Sequence, residues 1–139
     1  MSWLVDPASP PLVAAALLLV RLIVGWAFIL HGRPKIQHPT TWMNAFGSPA
    51  PAAPFQLMGA LAEVGGGALL LLGLFTRLAA VVLGAQMIAA LALVHLPKRD
   101  PFVNPAGSSA ELPVVYLGVA LLYLAVGPGS WSLDALLFR

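Results

Sequence analysis

Cysteine is absent from the 139 residues, which excludes disulfides, thiol redox chemistry, thiolate metal sites and iron–sulfur clusters on this chain. Charge is nearly as scarce. Charged residues make up 9% of the chain, against about 25% in a soluble globular domain. The seven basic residues are scattered, so the basic stripe that nucleic-acid binding demands is missing. Residues 1–11 contain no Lys or Arg. A cleaved signal peptide starts with such residues, so the first apolar stretch is expected to stay as a span. No Gly-rich phosphate loop, Ser/His/Asp set or haem-type His pair is evident.

What remains is apolar sequence: 60% hydrophobic residues and a mean hydropathy of +0.91. Residues 55–75 and 78–96 are almost wholly apolar and are separated by only Thr76 and Arg77. Each is long enough to cross a bilayer at about 20 residues per crossing. The fold class is therefore all-α: a four-helix transmembrane bundle forming a single integral membrane domain, with spans at about 11–30, 55–74, 78–96 and 112–126. A proline pair suits the start of the first span, which is expected to run past His31 until Pro34 disturbs it. A tight turn joins the second and third spans. Pro97 stops the third, and Gly127-Pro128-Gly129 ends the fourth. In the tail, Leu133, Leu136 and Leu137 follow Trp131 at helical spacing and read as a short interfacial segment. The two longer connections share one face, with Arg33, Lys35, Lys98 and Arg99 set against Arg77 and Arg139 on the other. The positive-inside rule then expects the long loops in the cytoplasm.

In the second span Gly59, Glu63, Gly66, Leu70 and Gly73 fall on one stripe, and glycine faces are where helices approach closely in lipid. A carboxylate at that depth is costly and calls for a partner or a task. At about 1.5 Å per residue, Arg21 lies about 15 Å and Glu63 about 18 Å from the face holding the termini. An ion pair between Arg21 and Glu63 is therefore expected, as a lock for the bundle. Two other readings of Glu63 stay open: a proton acceptor or ligand contact, and a carboxyl kept neutral by desolvation.

His31, Lys35, His95 and Glu111 all belong to the loop-rich end, and Glu63 points into the same half. Taken singly, each reads as a solvated or snorkelling side chain. Four segments delivering polar groups to one level make the five together the candidate site for ligand binding or proton exchange, with no residue assigned as catalytic. Imidazole and carboxylate would suit a metal, but no two of His31, Glu63, His95 and Glu111 are three or four residues apart, and no metal is assigned. Gln86 is expected on the side of its helix opposite His95, and His38 in solvent. Trp26, Trp42, Trp131, Tyr116 and Tyr123 are read as interface or packing aromatics.

Arg21-Leu-Ile-Val-Gly25 followed by His31-Gly32 and Lys35, Glu63 before a glycine run, and Gly73-Leu-Phe-Thr76-Arg77 form an ordered series. With Ala90, His95, Glu111, Gly127-Pro-Gly129 and Ser132-Leu-Asp134, it resembles the DoxX family of small bacterial membrane proteins. Pro34 beside the lysine position departs from the pattern. The resemblance implies a four-helix domain of the bacterial inner membrane. It also implies association with a redox system, since the family takes its name from a small subunit linked to thiosulfate:quinone oxidoreduction. The expectation is a subunit without a redox centre of its own that binds a quinone or similar small amphiphile at the polar cluster. Its partners would be the lipid bilayer and other membrane or redox subunits, or further copies of itself. A structural subunit that only packs against partner membrane proteins is the alternative. A solute or proton pathway is the weakest reading, because the polar residues crowd one end.

Overall fold

The computed structural model describes residues 9–46 and 50–138. Among them the chain is entirely helical apart from turns and loops. Helix α1 spans Pro11–Gln37, α2 Ala53–Leu72, α3 Thr76–Lys98 and α4 Glu111–Val126, and a short α5 covers Leu133–Leu137. A 3-10 turn, Trp42–Phe46, lies in the first long connection. Three helices are long and apolar enough to cross a membrane, and α4 is a shorter apolar one. Each helix packs mainly on its neighbour in sequence: α1 on α2, α2 on α3, α3 on α4.

The helices are apolar on all sides, the pattern of segments that exchange water for lipid rather than for a protein core. On α1 the buried positions are Ala14, Leu17, Arg21, Val24, Gly25, Phe28 and Gly32, a single stripe at spacings of three and four. Ile23, Phe55, Met58 and Ile88 stand more than half exposed on the outer surface, where acyl chains replace water.

Glycine sets the α1–α2 approach. A Cβ on Gly25 would lie 2.8 Å from the Gly67 carbonyl oxygen and the Leu71 amide nitrogen, and one on Gly67 would lie 2.8 Å from the Phe28 Cβ. Backbone meets backbone here, so no larger residue fits without separating the helices. The expected packing stripe of α2 is thus occupied within the molecule: Gly66 faces Leu83 of α3, and Glu63 and Leu70 are buried.

Helix α2 ends in a Schellman motif. Gly73 takes the left-handed conformation at φ 66°, its amide donates to the Leu70 carbonyl, and the Leu74 amide donates to the Leu69 carbonyl. Thr76 then starts α3, so the turn is as tight as expected. The tail is more than an interfacial appendage. Asp134 accepts from the amides of Phe75 (2.6 Å) and Thr76 (2.9 Å), and its own amide donates to the Gly73 carbonyl at 2.8 Å. Helix α5 therefore supplies the cap that the start of α3 lacks in its own sequence. Arg21 donates to the Trp131 carbonyl of the same tail. On the same buried stripe of α1, the buried Tyr123 hydroxyl donates to the Leu17 carbonyl at 2.6 Å. These bonds draw the bundle shut at the end that holds α5.

Two boundaries differ from expectation in a way that matters. Helix α1 carries on through Pro34 to Gln37 instead of ending near 30, so His31 and Lys35 are helical residues one turn apart. Helix α3 continues through Pro97 to Lys98 but contains a π-helical turn over Leu91–His95.

Candidate functional site

At the opposite end from α5 lies a cavity of about 210 Å³. It exceeds the roughly 150 Å³ of an apolar cavity that accepts a benzene ring. Its polar wall carries His31, Lys35, Glu63, Gln86 and His95, and its apolar wall includes Phe55, Leu93, Leu112 and Tyr116.

Glu63 owes its place to Gly32. A Cβ at Gly32 would sit 2.6 Å from a Val64 methyl and 3.3 Å from the Glu63 Cβ, so only glycine lets α2 bring the carboxylate this close to α1. Lys35 lies just beyond Gly32, and helical side chains lean back toward the N-terminus. Its Nζ accordingly reaches Glu63 Oε2 at 2.5 Å. The same ammonium lies 4.5 Å from the centre of the Trp42 ring, a cation–π contact that closes the cavity from the loop side. Glu63 is almost completely buried, and Lys35 keeps about a fifth of its side chain exposed.

The expected Arg21–Glu63 pair does not form. Gly25 of α1 lies against Gly67, and Gly32 against Glu63 and Val64, whereas Arg21 lies against Gly73. From Arg21 to Gly32 along α1 is about 16 Å, so the guanidinium is at the other end of the bundle, bonded to the tail. Arg21 and Glu63 come level only if the membrane face lies at Pro11 and the helix ends near 30. Extending α1 to Gln37 shifts the register, and Lys35 takes the partner role expected of Arg21.

His95 comes to the cavity through the π turn. Nine residues separate it from Gln86, which in a regular α-helix places the two about 180° apart. A π turn absorbs one extra residue, reducing the angle to about 80°. Gln86 and His95 therefore share the cavity wall, which corrects the expectation that they face opposite ways. His31 packs edge-on to Tyr116 at 6.4 Å between ring centres. Glu111 is exposed in the first turn of α4 and is not part of the cavity wall.

Two further participants carry no signal in the sequence. Asp100 Oδ2 lies 2.8 Å from His95 Nδ1 and accepts from the Ser108 hydroxyl at 2.6 Å. The Ser108 hydrogen bond, then the contact with His95, hold the Asp100 carboxyl below its usual range. Gln56, buried on α2, accepts from the Met43 amide and donates to the Pro51 carbonyl, both at 2.9 Å. It thereby pins the Trp42–Phe46 turn against the cavity. A polar residue spaced five from a helical His, or one near a proline-rich loop, fits no helical or strand period. Among the described residues no group of three His, Asp or Glu is arranged to hold a metal ion.

Comparison with known proteins agrees with this architecture. The DoxX family model matches residues 16–96, which include α2, most of α1 and α3, and all the polar residues named in the cavity wall. The chain is 34% identical to an uncharacterized membrane protein of Mycobacterium tuberculosis, covering 96% of this chain and 86% of that one. It is 32% identical to an uncharacterized protein of Haemophilus influenzae, covering 88% and 91%. It is 30% identical to a Bacillus subtilis protein named "Putative oxidoreductase CatD", covering 88% and 87%. No solved structure matches the chain. With three apolar helices of spanning length, glycine-mediated packing and a family match over more than half of its residues, this multi-pass membrane protein belongs to the DoxX family.

Proposed function

We propose that the protein is a membrane subunit of a redox system and that its cavity holds the ring of a quinone or a similar small amphiphile. The observation that carries this reading is the cavity itself. It joins a polar wall of His31, Lys35, Glu63, Gln86 and His95 to an apolar wall whose Phe55 is largely exposed and whose Leu93 and Leu112 are partly so. A ring with polar substituents and an apolar tail fits that division, with the tail leaving between side chains that face lipid. The donor set suits it as well. Imidazole and amide groups hydrogen-bond a ring oxygen, the Lys35 ammonium favours negative charge developing there, and Glu63 or His95 exchanges a proton. A bound quinone supplies reversible two-electron, two-proton chemistry, and the electrons pass to or from a partner subunit. The DoxX match and the oxidoreductase name of the Bacillus relative support the redox setting. In this reading the protein resides in a bacterial inner membrane with its two long loops in the cytoplasm.

Photolabelling tests it. A photoreactive short-chain quinone, irradiated with the purified protein in lipid nanodiscs, is expected to leave adducts on Phe55, Leu93 or Leu112 that an unmodified quinone competes away. Adducts confined to outward residues such as Ile23 and indifferent to competition contradict the reading. An anchoring role has one observation in its favour: Gly65 and Gly118 have open space where a side chain would be, leaving two small patches for partner helices.

A further inference from the structure

The end of α3 repeats the Schellman geometry of α2 with a polar difference. Arg99 adopts the left-handed conformation at φ 53°, its amide donates to the Leu96 carbonyl at 3.1 Å, and the Asp100 amide donates to the His95 carbonyl at 3.0 Å. In this motif the residue after the left-handed one ordinarily makes an apolar contact with the residue five before it. At the end of α2 those positions are Leu74 and Leu69. At the end of α3 they are Asp100 and His95, and the contact is a 2.8 Å hydrogen bond between carboxylate and imidazole. A left-handed non-glycine residue is strained, so the turn that makes this contact is formed at a cost in backbone energy.

We propose that Asp100 is the positioning residue for His95. It fixes the imidazole with its proton on Nδ1 and its Nε2 lone pair toward the cavity, so that His95 takes up a proton from a hydroxyl-bearing ring bound there. An ionised carboxylate is an acceptor only, so the shared hydrogen belongs to Nδ1. The hydrogen on one imidazole nitrogen sets the role of the other, which leaves Nε2 as the acceptor in the cavity that His95 lines. The lowered pKa of Asp100 keeps it ionised. Ser108 holds the carboxylate at 2.6 Å from the loop side, and that loop is itself closed by the Ala110 amide on the Pro101 carbonyl at 3.0 Å. In the proton step the ligand O–H bond breaks and an Nε2–H bond forms. The ligand oxygen keeps the electron pair, and the imidazolium charge is balanced by Asp100. The remaining titratable groups of the cavity wall, Lys35, His31, Glu63 and Tyr116, then face a ligand anion. This proposal rests on the quinone reading for its ligand but not for its geometry.

The test separates the two. Nitrogen-15 NMR of histidine-labelled protein in nanodiscs, with the His95 signals identified by their loss in His95→Gln, reports which ring nitrogen carries the proton. The wild type is expected to show His95 protonated on Nδ1. Asp100→Ala is expected to shift it toward Nε2 and to weaken binding of a short-chain quinol by about tenfold, the scale of one charge-assisted hydrogen bond. Asp100→Glu is expected to restore part of both. A wild-type His95 protonated on Nε2, or an Asp100→Ala variant with an unchanged tautomer, overturns the proposal. The wild-type measurement decides even if Asp100→Ala fails to fold. The expected tautomer and shift without quinol binding by the wild type support the positioning and overturn the quinone reading instead.

Discussion

At the scale of the residue, the most consequential fact is the choice of partner for Glu63. Breaking a buried pair leaves an uncompensated charge, whereas replacing both members by apolar groups is often tolerated. Glu63 is almost fully buried and Lys35 largely so. Lys35→Met is therefore expected to destabilise the protein by about 3 kcal/mol, at the lower end for such pairs because Lys35 retains some solvent. Lys35→Met combined with Glu63→Leu is expected to recover most of that loss in reversible unfolding from mixed micelles. Arg21→Met combined with Glu63→Leu is expected to recover none, since the Arg21 guanidinium bonds the Trp131 carbonyl at the other end. The burial of Glu63 is legible in the sequence, because a lone carboxylate on a glycine stripe lies where a neighbouring helix packs. Its partner is not legible. Arg21 and Lys35 are both cations on the first helix, and choosing between them requires the α1–α2 register, which Gly25, Gly32 and Gly67 set by contact and which hydropathy does not encode.

Elements are easier to read than their irregularities. The four helices follow from apolar runs punctuated by proline and glycine, and the α2–α3 turn from the break at Thr76 and Arg77, which lie in the first turn of α3 just after residues 73–75. Pro34 and Pro97 read as breakers, yet α1 and α3 pass through them. Proline is tolerated in spanning helices where neighbours re-satisfy the freed carbonyl. The π turn at Leu91–His95 has no signature in residue type, and it decides where His95 points. Deleting the exposed Ala92 is expected to convert the turn to regular α-helix and to leave His95 about 80° from Gln86, since eight residues of α-helix turn through the same angle as the nine that contain the bulge. The variant should melt in detergent at or above the wild-type temperature and keep quinone binding. Loss of quinone binding with helix content unchanged would show that the extra residue does more than set this angle. The tail is visible as a helix from its leucine spacing. The capping role of Asp134 is hidden because its partners, Phe75 and Thr76, lie far away in sequence.

At the scale of the whole molecule, the two ends of the bundle differ. One end is cinched by the Tyr123–Leu17 bond, the Arg21 contact and the Asp134 cap, and the other holds the polar-walled cavity. That asymmetry gives physical content to the polar crowding seen in the sequence. The groups of the loop-rich end do not line a route across the membrane. His31, Lys35, Glu63 and His95 form one wall of a chamber whose other wall includes the exposed Phe55, Leu93 and Leu112, a shape suited to a ligand that arrives through the bilayer. Gly59 offers a direct way to close it, because a side chain there would enter the cavity against Gln86 and Trp42, at 3.2 Å and 3.4 Å from the Cβ position. The decisive measurement is an equilibrium titration of a short-chain quinone against the purified protein and its Gly59→Leu variant in lipid nanodiscs. Saturable binding by the wild type, weakened by at least about tenfold in a Gly59→Leu variant of unchanged helix content and melting temperature, is the predicted result. No saturable binding by the wild type, or equal binding by both, would contradict the account.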